Sequence, residues 1–179
     1  MKVIETRIDG VRIIEPDVFG DERGFFVEAY QVKRYQAAGI GIDFVQDNHS
    51  RSAYGVLRGL HFQLARPQGK LVRVTQGEVY DVALDIRRGS STFGRWEAVL
   101  LSGNNHRQLY IPAGCAHGFC VTSESADFLY KCTDYYDPTD EAGIIWNDPE
   151  LAIEWPVSEP VLSEKDMHWP TFSEFKQSI

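Results

Sequence analysis

The stretch from Val79 to Arg88 alternates cleanly, with Tyr80, Val82, Leu84 and Ile86 on one face and Asp81, Ala83 and Asp85 on the other. Period-two alternation of this kind predicts a β-strand. Leu71–Thr75 precedes it, and Gln76-Gly77-Glu78 between them reads as a hairpin turn. The series continues through Arg95–Leu101, Gln108–Ile111, His117–Thr122 and Asp127–Thr133. Turn-rich pieces such as Gly89-Ser90-Ser91 and Ser102-Gly103-Asn104-Asn105 separate these strands. Helical signals are few: Gln31–Ala38, ended by Gly39, and a stretch from Ser163 onward. Many short strands with tight turns predict an all-β fold, a jelly-roll barrel with a few short peripheral helices. No repeat or linker breaks the chain, so residues 1–179 are expected to form one domain.

Composition narrows the function. The 179 residues carry a net charge of -8, which argues against nucleic acid, since phosphate contacts need a basic face. An anionic small ligand is compatible only if local Arg and Lys hold it against the overall field. Cys115, Cys120 and Cys132 form no Cys-x-x-Cys and are odd in number, so buried thiols in a reducing compartment are expected. Lys2, Glu5, Arg7, Asp9 and Arg12 leave no apolar signal core at the N-terminus, and Ala98–Leu101 is about the longest aliphatic run. A cytoplasmic protein with no membrane association is the expectation.

The candidate chemistry centres on His61, in Arg58-Gly59-Leu60-His61-Phe62-Gln63, followed by Lys70 and later by Tyr130. A base, a cation and a phenol on strands are the parts needed to move a proton on carbon beside a carbonyl. Each has a plainer reading. His61 reads equally as a core histidine bonded to a backbone carbonyl, Tyr130 as strand packing, and Lys70 as a solvated charge. Asp166, in Ser163-Glu164-Lys165-Asp166, fits a helix-start box, and alternatively an acceptor that fixes the His61 tautomer. Arg58 and His61 are three apart, so a regular strand sends them to opposite faces. One site can use both only through a bulge, which Gly59 permits, or through an arginine reaching round the rim.

Pro112-Ala113-Gly114-Cys115-Ala116-His117 looks like half of a cupin metal signature. The other half reads His61-Phe62-Gln63, with no Glu before Glu78. Two histidines are too few for a typical catalytic zinc or iron site, so neither metal nor cofactor is expected. No phosphate loop, dinucleotide fingerprint or serine elbow is present.

Taken together, Arg58–Gln63, Gly69-Lys70-Leu71-Val72-Arg73-Val74, Pro112–Phe119 and Leu129-Tyr130-Lys131-Cys132-Thr133 resemble the dTDP-4-dehydrorhamnose 3,5-epimerase family, metal-independent cupin enzymes. The resemblance runs from Gly20-Asp21-Glu22-Arg23-Gly24-Phe25-Phe26 to Leu162-Ser163-Glu164-Lys165-Asp166. It implies that His61 is the base, Asp166 its orienting partner, Tyr130 the proton donor and Lys70 the cation at the sugar carbonyl. It also implies that Arg23, Glu28, Gln46, Asn48, Arg58, His117, Glu141 and Lys165 contact the nucleotide sugar and that Tyr136 stacks on thymine. A homodimer in which an N-terminal segment reaches the neighbour's barrel is a further implication. Two alternatives stay open: a single-centre epimerase or ketoisomerase on a related nucleotide 4-keto sugar, and a cupin that binds such a sugar without turning it over.

Overall fold

The structure is a computed structural model that describes residues 1–41 and 43–178. Among the described residues thirteen strands carry the fold: β1 (Lys2–Glu5), β2 (Arg12–Glu15), β3 (Val18–Asp21), β4 (Gly24–Val27), β5 (Gln46–Ala53), β6 (Leu57–Gln63), β7 (Lys70–Gln76), β8 (Glu78–Asp85), β9 (Trp96–Ser102), β10 (Gln108–Ile111), β11 (Cys115–Val121), β12 (Ser125–Cys132) and β13 (Glu141–Gly143). Helix α1 (Val32–Ala37) lies between β4 and β5. A 3-10 turn (Lys165–Met167) and helix α2 (Phe172–Ser178) follow β13.

The strands form a six-stranded sheet in the order β1-β2-β10-β7-β12-β5 and a five-stranded sheet in the order β13-β6-β11-β8-β9. All the pairings within them are antiparallel. This is the expected cupin-type jelly roll. The sheets face one another across a core of Val72, Val74, Leu109, Ile111 and Phe128 on one side and Val79, Ala83, Leu101, Phe119 and Val121 on the other. Phe119 stacks on Phe128 between the sheets, with ring centroids 4.2 Å apart. A second cluster seals the outer face of the five-stranded sheet, where Leu60, Phe62, Val82 and Leu84 pack under Phe172 and Phe175 of α2. On the far side Tyr35 of α1 and Ile40 cover Ile14, Leu71 and Tyr110.

Two expectations are corrected. Gln76-Gly77-Glu78 is not a hairpin turn, because β7 and β8 belong to different sheets. It is a corner, and Gly77 makes it possible: its φ is +76°, and a Cβ there would sit 1.9 Å from the Ser125 carbonyl oxygen. The C-terminal helical signal is real but divided. Ser163 leads only into the 3-10 turn, and the α-helix begins at Phe172. The alternating strand also turns its polar face inward rather than to solvent, since Asp81 and Asp85 are both fully buried. Its apolar face is the one covered by α2 and its neighbours.

Hairpin β3–β4 forms a separate two-stranded ribbon. Phe19, Phe25 and Phe26 on it are each more than 60% exposed.

Candidate active site

A cavity of about 490 Å³ opens between the two sheets. The five-stranded sheet lines it with Arg58 and His61 of β6 and His117 of β11, and the six-stranded sheet with Lys70 of β7, Tyr130 and Cys132 of β12, and Gln46 and Asn48 of β5. Tyr136, Glu141, Lys165 and Asp166 complete the rim. Of the residues singled out from sequence, Arg23 and Glu28 are the two outside this cavity. Arg23 sits at the β3–β4 turn paired with Asp21, and Glu28 pairs with Arg34.

The β6 strand resolves the spacing of Arg58 and His61. In its ladder with β11, His61 faces His117 and Arg58 faces Phe119, so three steps on β6 match two on β11. That is a bulge, and it turns both side chains into the cavity. Gly59 makes it possible, because its φ is +145° and a Cβ would lie 2.5 Å from Gly118 Cα.

His61 Nε2 meets Asp166 Oδ1 at 2.5 Å, which leaves Nδ1 as the ring nitrogen without a hydrogen bond among the described residues. Asp166 is 1% exposed, and its other oxygen accepts from Ser163 Oγ at 2.7 Å. The two carboxylate oxygens thus have different partners, His61 for Oδ1 and Ser163 for Oδ2, while the 3-10 turn is capped at Glu164 with no side-chain cap bond. Burial pushes the Asp166 carboxyl up, but bonds from His61, Ser163 and Trp169 outweigh it and hold the group below the usual range.

A second imidazole–carboxylate pair lies deeper. His117 Nε2 contacts both oxygens of the fully buried Asp81, at 3.0 and 3.1 Å. Burial lowers the His117 pKa despite Asp81, and the neighbouring Lys70 and His61 add to the shift. The alternation of β8 already marked Asp81 as an acid among apolar neighbours, but nothing in the sequence paired it with His117. Trp169, which also bonds Asp166, carried no sequence signal at all.

Lys70 and Arg58 are cavity cations with no carboxylate partner among the described residues; Arg58 bonds only the Ser52 hydroxyl. Burial depresses the Lys70 pKa, and Cys132, Asp81 and Glu141 oppose the shift. Burial raises that of Tyr130. At the rim Lys165 Nζ donates to both Glu141 oxygens at 2.7 and 2.8 Å, and Tyr136 Oη donates to Glu141 at 3.0 Å. Gln46 Oε1 accepts from the Tyr136 amide, which ties that loop to β5. Among the described residues no cluster of three His, Cys, Asp or Glu side chains is arranged to hold a metal ion.

The arrangement can remove a proton from one side of a bound ligand and return one from the other, because His61 and Tyr130 come from opposite sheets. A family model described as dTDP-4-dehydrorhamnose 3,5-epimerase matches residues 5–174. The chain belongs to the dTDP-4-dehydrorhamnose 3,5-epimerase family. It is accordingly an isomerase. The Pseudomonas aeruginosa dTDP-4-dehydrorhamnose 3,5-epimerase is 57% identical over 176 residues, covering 97% of each chain. The crystal structure of the Legionella pneumophila 3,5-epimerase RmlC, in complex with dTDP-4-keto-L-rhamnose, is 58% identical with a TM-score of 0.93, over 96% of this chain and 93% of that one. ChmJ, a 3'-monoepimerase from Streptomyces bikiniensis in complex with dTDP-quinovose, is 33% identical with a TM-score of 0.91, over 97% of this chain and 89% of that one.

Proposed function

We propose that this family member inverts C3 and C5 of dTDP-4-dehydro-6-deoxy-D-glucose, giving dTDP-4-dehydro-L-rhamnose for dTDP-L-rhamnose biosynthesis. The observation that carries the residue roles is the His61–Asp166 pair in one cavity with Tyr130 and Lys70. The C4 ketone acidifies the protons on C3 and C5. His61, neutral and with Nε2 engaged by Asp166, takes one of them on its other nitrogen. The electron pair moves into an enolate whose negative charge rests on the C4 oxygen. Lys70 stabilises that oxyanion by charge and hydrogen bonding in a partly dry site. Tyr130 donates its proton to the opposite face of the same carbon, which inverts the centre, and solvent then restores the phenol. Asp166 holds the imidazolium that forms.

The diphosphate needs cations, and with Lys70 assigned to the C4 oxygen, Arg58 is the cavity arginine that has no carboxylate partner among the described residues. Gln46, Asn48, His117, Glu141 and Lys165 are proposed to bind the sugar and phosphates, and Tyr136 to stack on the base. Arg23 and Glu28 are proposed to act in a neighbouring copy. Support for that comes from a ribbon with three exposed phenylalanines and from β5, an edge strand paired only with β12. A homodimer that inserts the ribbon beside the neighbour's β5 would cover both liabilities. Three buried free cysteines suit a reducing cytoplasm.

The test is solvent exchange with the 4-keto sugar in deuterated water and no reductase. Deuterium at both C3 and C5 supports the reading. Deuterium at one carbon makes the chain a single-centre enzyme, an outcome kept open by the shared fold of the 3'-monoepimerase. No label at either carbon overturns the proposal.

A further inference from the structure

Asp166 accepts a hydrogen bond for which the proton chemistry has no need. Trp169 Nε1 donates to Asp166 Oδ1 at 3.2 Å, the same oxygen that meets His61 Nε2. The indoles of Trp96 and Trp155, by contrast, donate to backbone carbonyls, those of Leu151 and Trp146. The Trp169 ring also stands edge-on to the His61 imidazole, with centroids 6.1 Å apart and planes at 70°.

The chain makes room for this indole. Gly143 is the ladder partner of His61, and a Cβ on it would come within 2.5 Å of Trp169 Cδ2 and 2.6 Å of Cε2. The backbone just beyond is pinned, because the Ile145 amide donates to the Pro170 carbonyl at 2.9 Å. A missing side chain opposite the base and a ring filling that space form one built unit.

We propose that Trp169 is a positioning residue for the His61–Asp166 pair, acting through its indole N–H on the carboxylate. Ser163 holds Oδ2 while His61 and Trp169 share Oδ1. With donors on both oxygens the carboxylate cannot rotate without breaking a bond, so Oδ1 stays aimed at the imidazole. The second donor on Oδ1 also disperses its charge, which keeps the proton on the ring rather than letting it pass to the acid. The inference rests on the reading of His61 as the base.

Trp169→Phe keeps the ring and removes the donor. Its kcat should fall about tenfold, the effect of losing one hydrogen bond to a charged group. KM should stay within about twofold, because no contact with substrate is lost. Between the two-dimensional NMR spectra of the unaltered protein and of Asp166→Asn, the Trp169 indole resonance should shift while those of Trp96 and Trp155 hold still. That arm does not depend on how Trp169→Phe folds. Unchanged kcat in Trp169→Phe, or an unmoved indole resonance in Asp166→Asn, overturns the proposal. His61→Gln, assayed in parallel, separates the two readings. An active His61→Gln removes the base assignment itself, whereas an inactive one beside a normal Trp169→Phe removes only the role of the indole.

Discussion

Asp166 and His61 meet at 2.5 Å although 105 positions separate them along the chain. The contact joins the 3-10 turn that follows β13 to the middle of β6, so the site is closed by a segment far along the chain from the sixth strand.

Asp166→Asn replaces an acceptor-only group with an amide, which presents either an N–H or a neutral oxygen to His61. Turnover should fall by about 100-fold or more, the scale of a lost acid–base contribution. Stability should change far less, because an amide oxygen at the Oδ1 position still accepts from Trp169 while the amide N–H at the Oδ2 position can donate to the Ser163 hydroxyl. Steady-state kinetics and thermal melting on the same preparation compare the two. A melting shift without a kinetic one would restrict Asp166 to holding the 3-10 turn.

Lys70 should set the basic limb of the rate profile. The oxyanion role needs the ammonium, and burial lowers the pKa of Lys70 while it raises that of Tyr130. Burial thus moves proton loss from the lysine toward lower pH and from the phenol toward higher pH. The profile of kcat should decline below the ordinary lysine range near about pH 10.4. Lys70→Arg should move the decline to higher pH, and an unmoved limb would assign it to another group.

Tyr130→Phe should separate proton loss from inversion. With His61 and Lys70 intact, substrate C–H bonds should still exchange with deuterated solvent, while net epimerisation falls by about 100-fold. Equal losses in the two rates would move the donor role elsewhere.

Gly59→Ala should cost about 3 kcal/mol, combining positive-φ strain with a backbone clash, and should lower activity by misplacing Arg58 and His61. Gly89→Ala is the control, because its φ is +80° but a Cβ there meets nothing within 4 Å. It should cost only about 1 kcal/mol. Urea unfolding of both variants checks the difference.

Asp85 predicts the acid behaviour of the fold. Burial raises its carboxyl pKa, but Arg87, Ser90 and Thr92 outweigh that and hold it well below the usual range. A depressed folded-state pKa gives stability that is present above the unfolded value of about 3.9 and lost as pH falls below it. Asp85→Asn should be about 3 kcal/mol less stable at neutral pH and should lose less on acidification. Denaturation midpoints from about pH 7 down to about pH 3 test the slope.

The β-rich half of the chain was legible because its strands bury one apolar face. The strands from β7 to β12 lie within three residues of where alternation placed them, the largest difference being the end of β8 at Asp85 rather than Arg88. Strand β5 was not legible: Gln46–Ala53 contains no large apolar residue, since it pairs at an edge and presents polar side chains to the cavity. The β3–β4 ribbon was missed for the opposite reason, because its phenylalanines are exposed and follow no buried face. At the site, His61, Lys70 and Tyr130 were readable as one set, but the Asp81–His117 pair and the Trp169 bond to Asp166 were not. The Gly59 bulge and an Asp166 acceptor for His61 could be named from residue type, whereas contacts between distant segments such as Asp81 with His117 leave no periodic trace.

The stacked rings of Phe119 and Phe128 carry one more consequence. They lie between the two sheets, and both also line the cavity in which His61 and Tyr130 face each other. The gap in which a sugar ring must fit is therefore calibrated by two hydrocarbon side chains that never handle a proton. Stereochemical fidelity becomes partly a matter of core volume: trimming either ring loosens the vise before it alters any of the groups that do the chemistry.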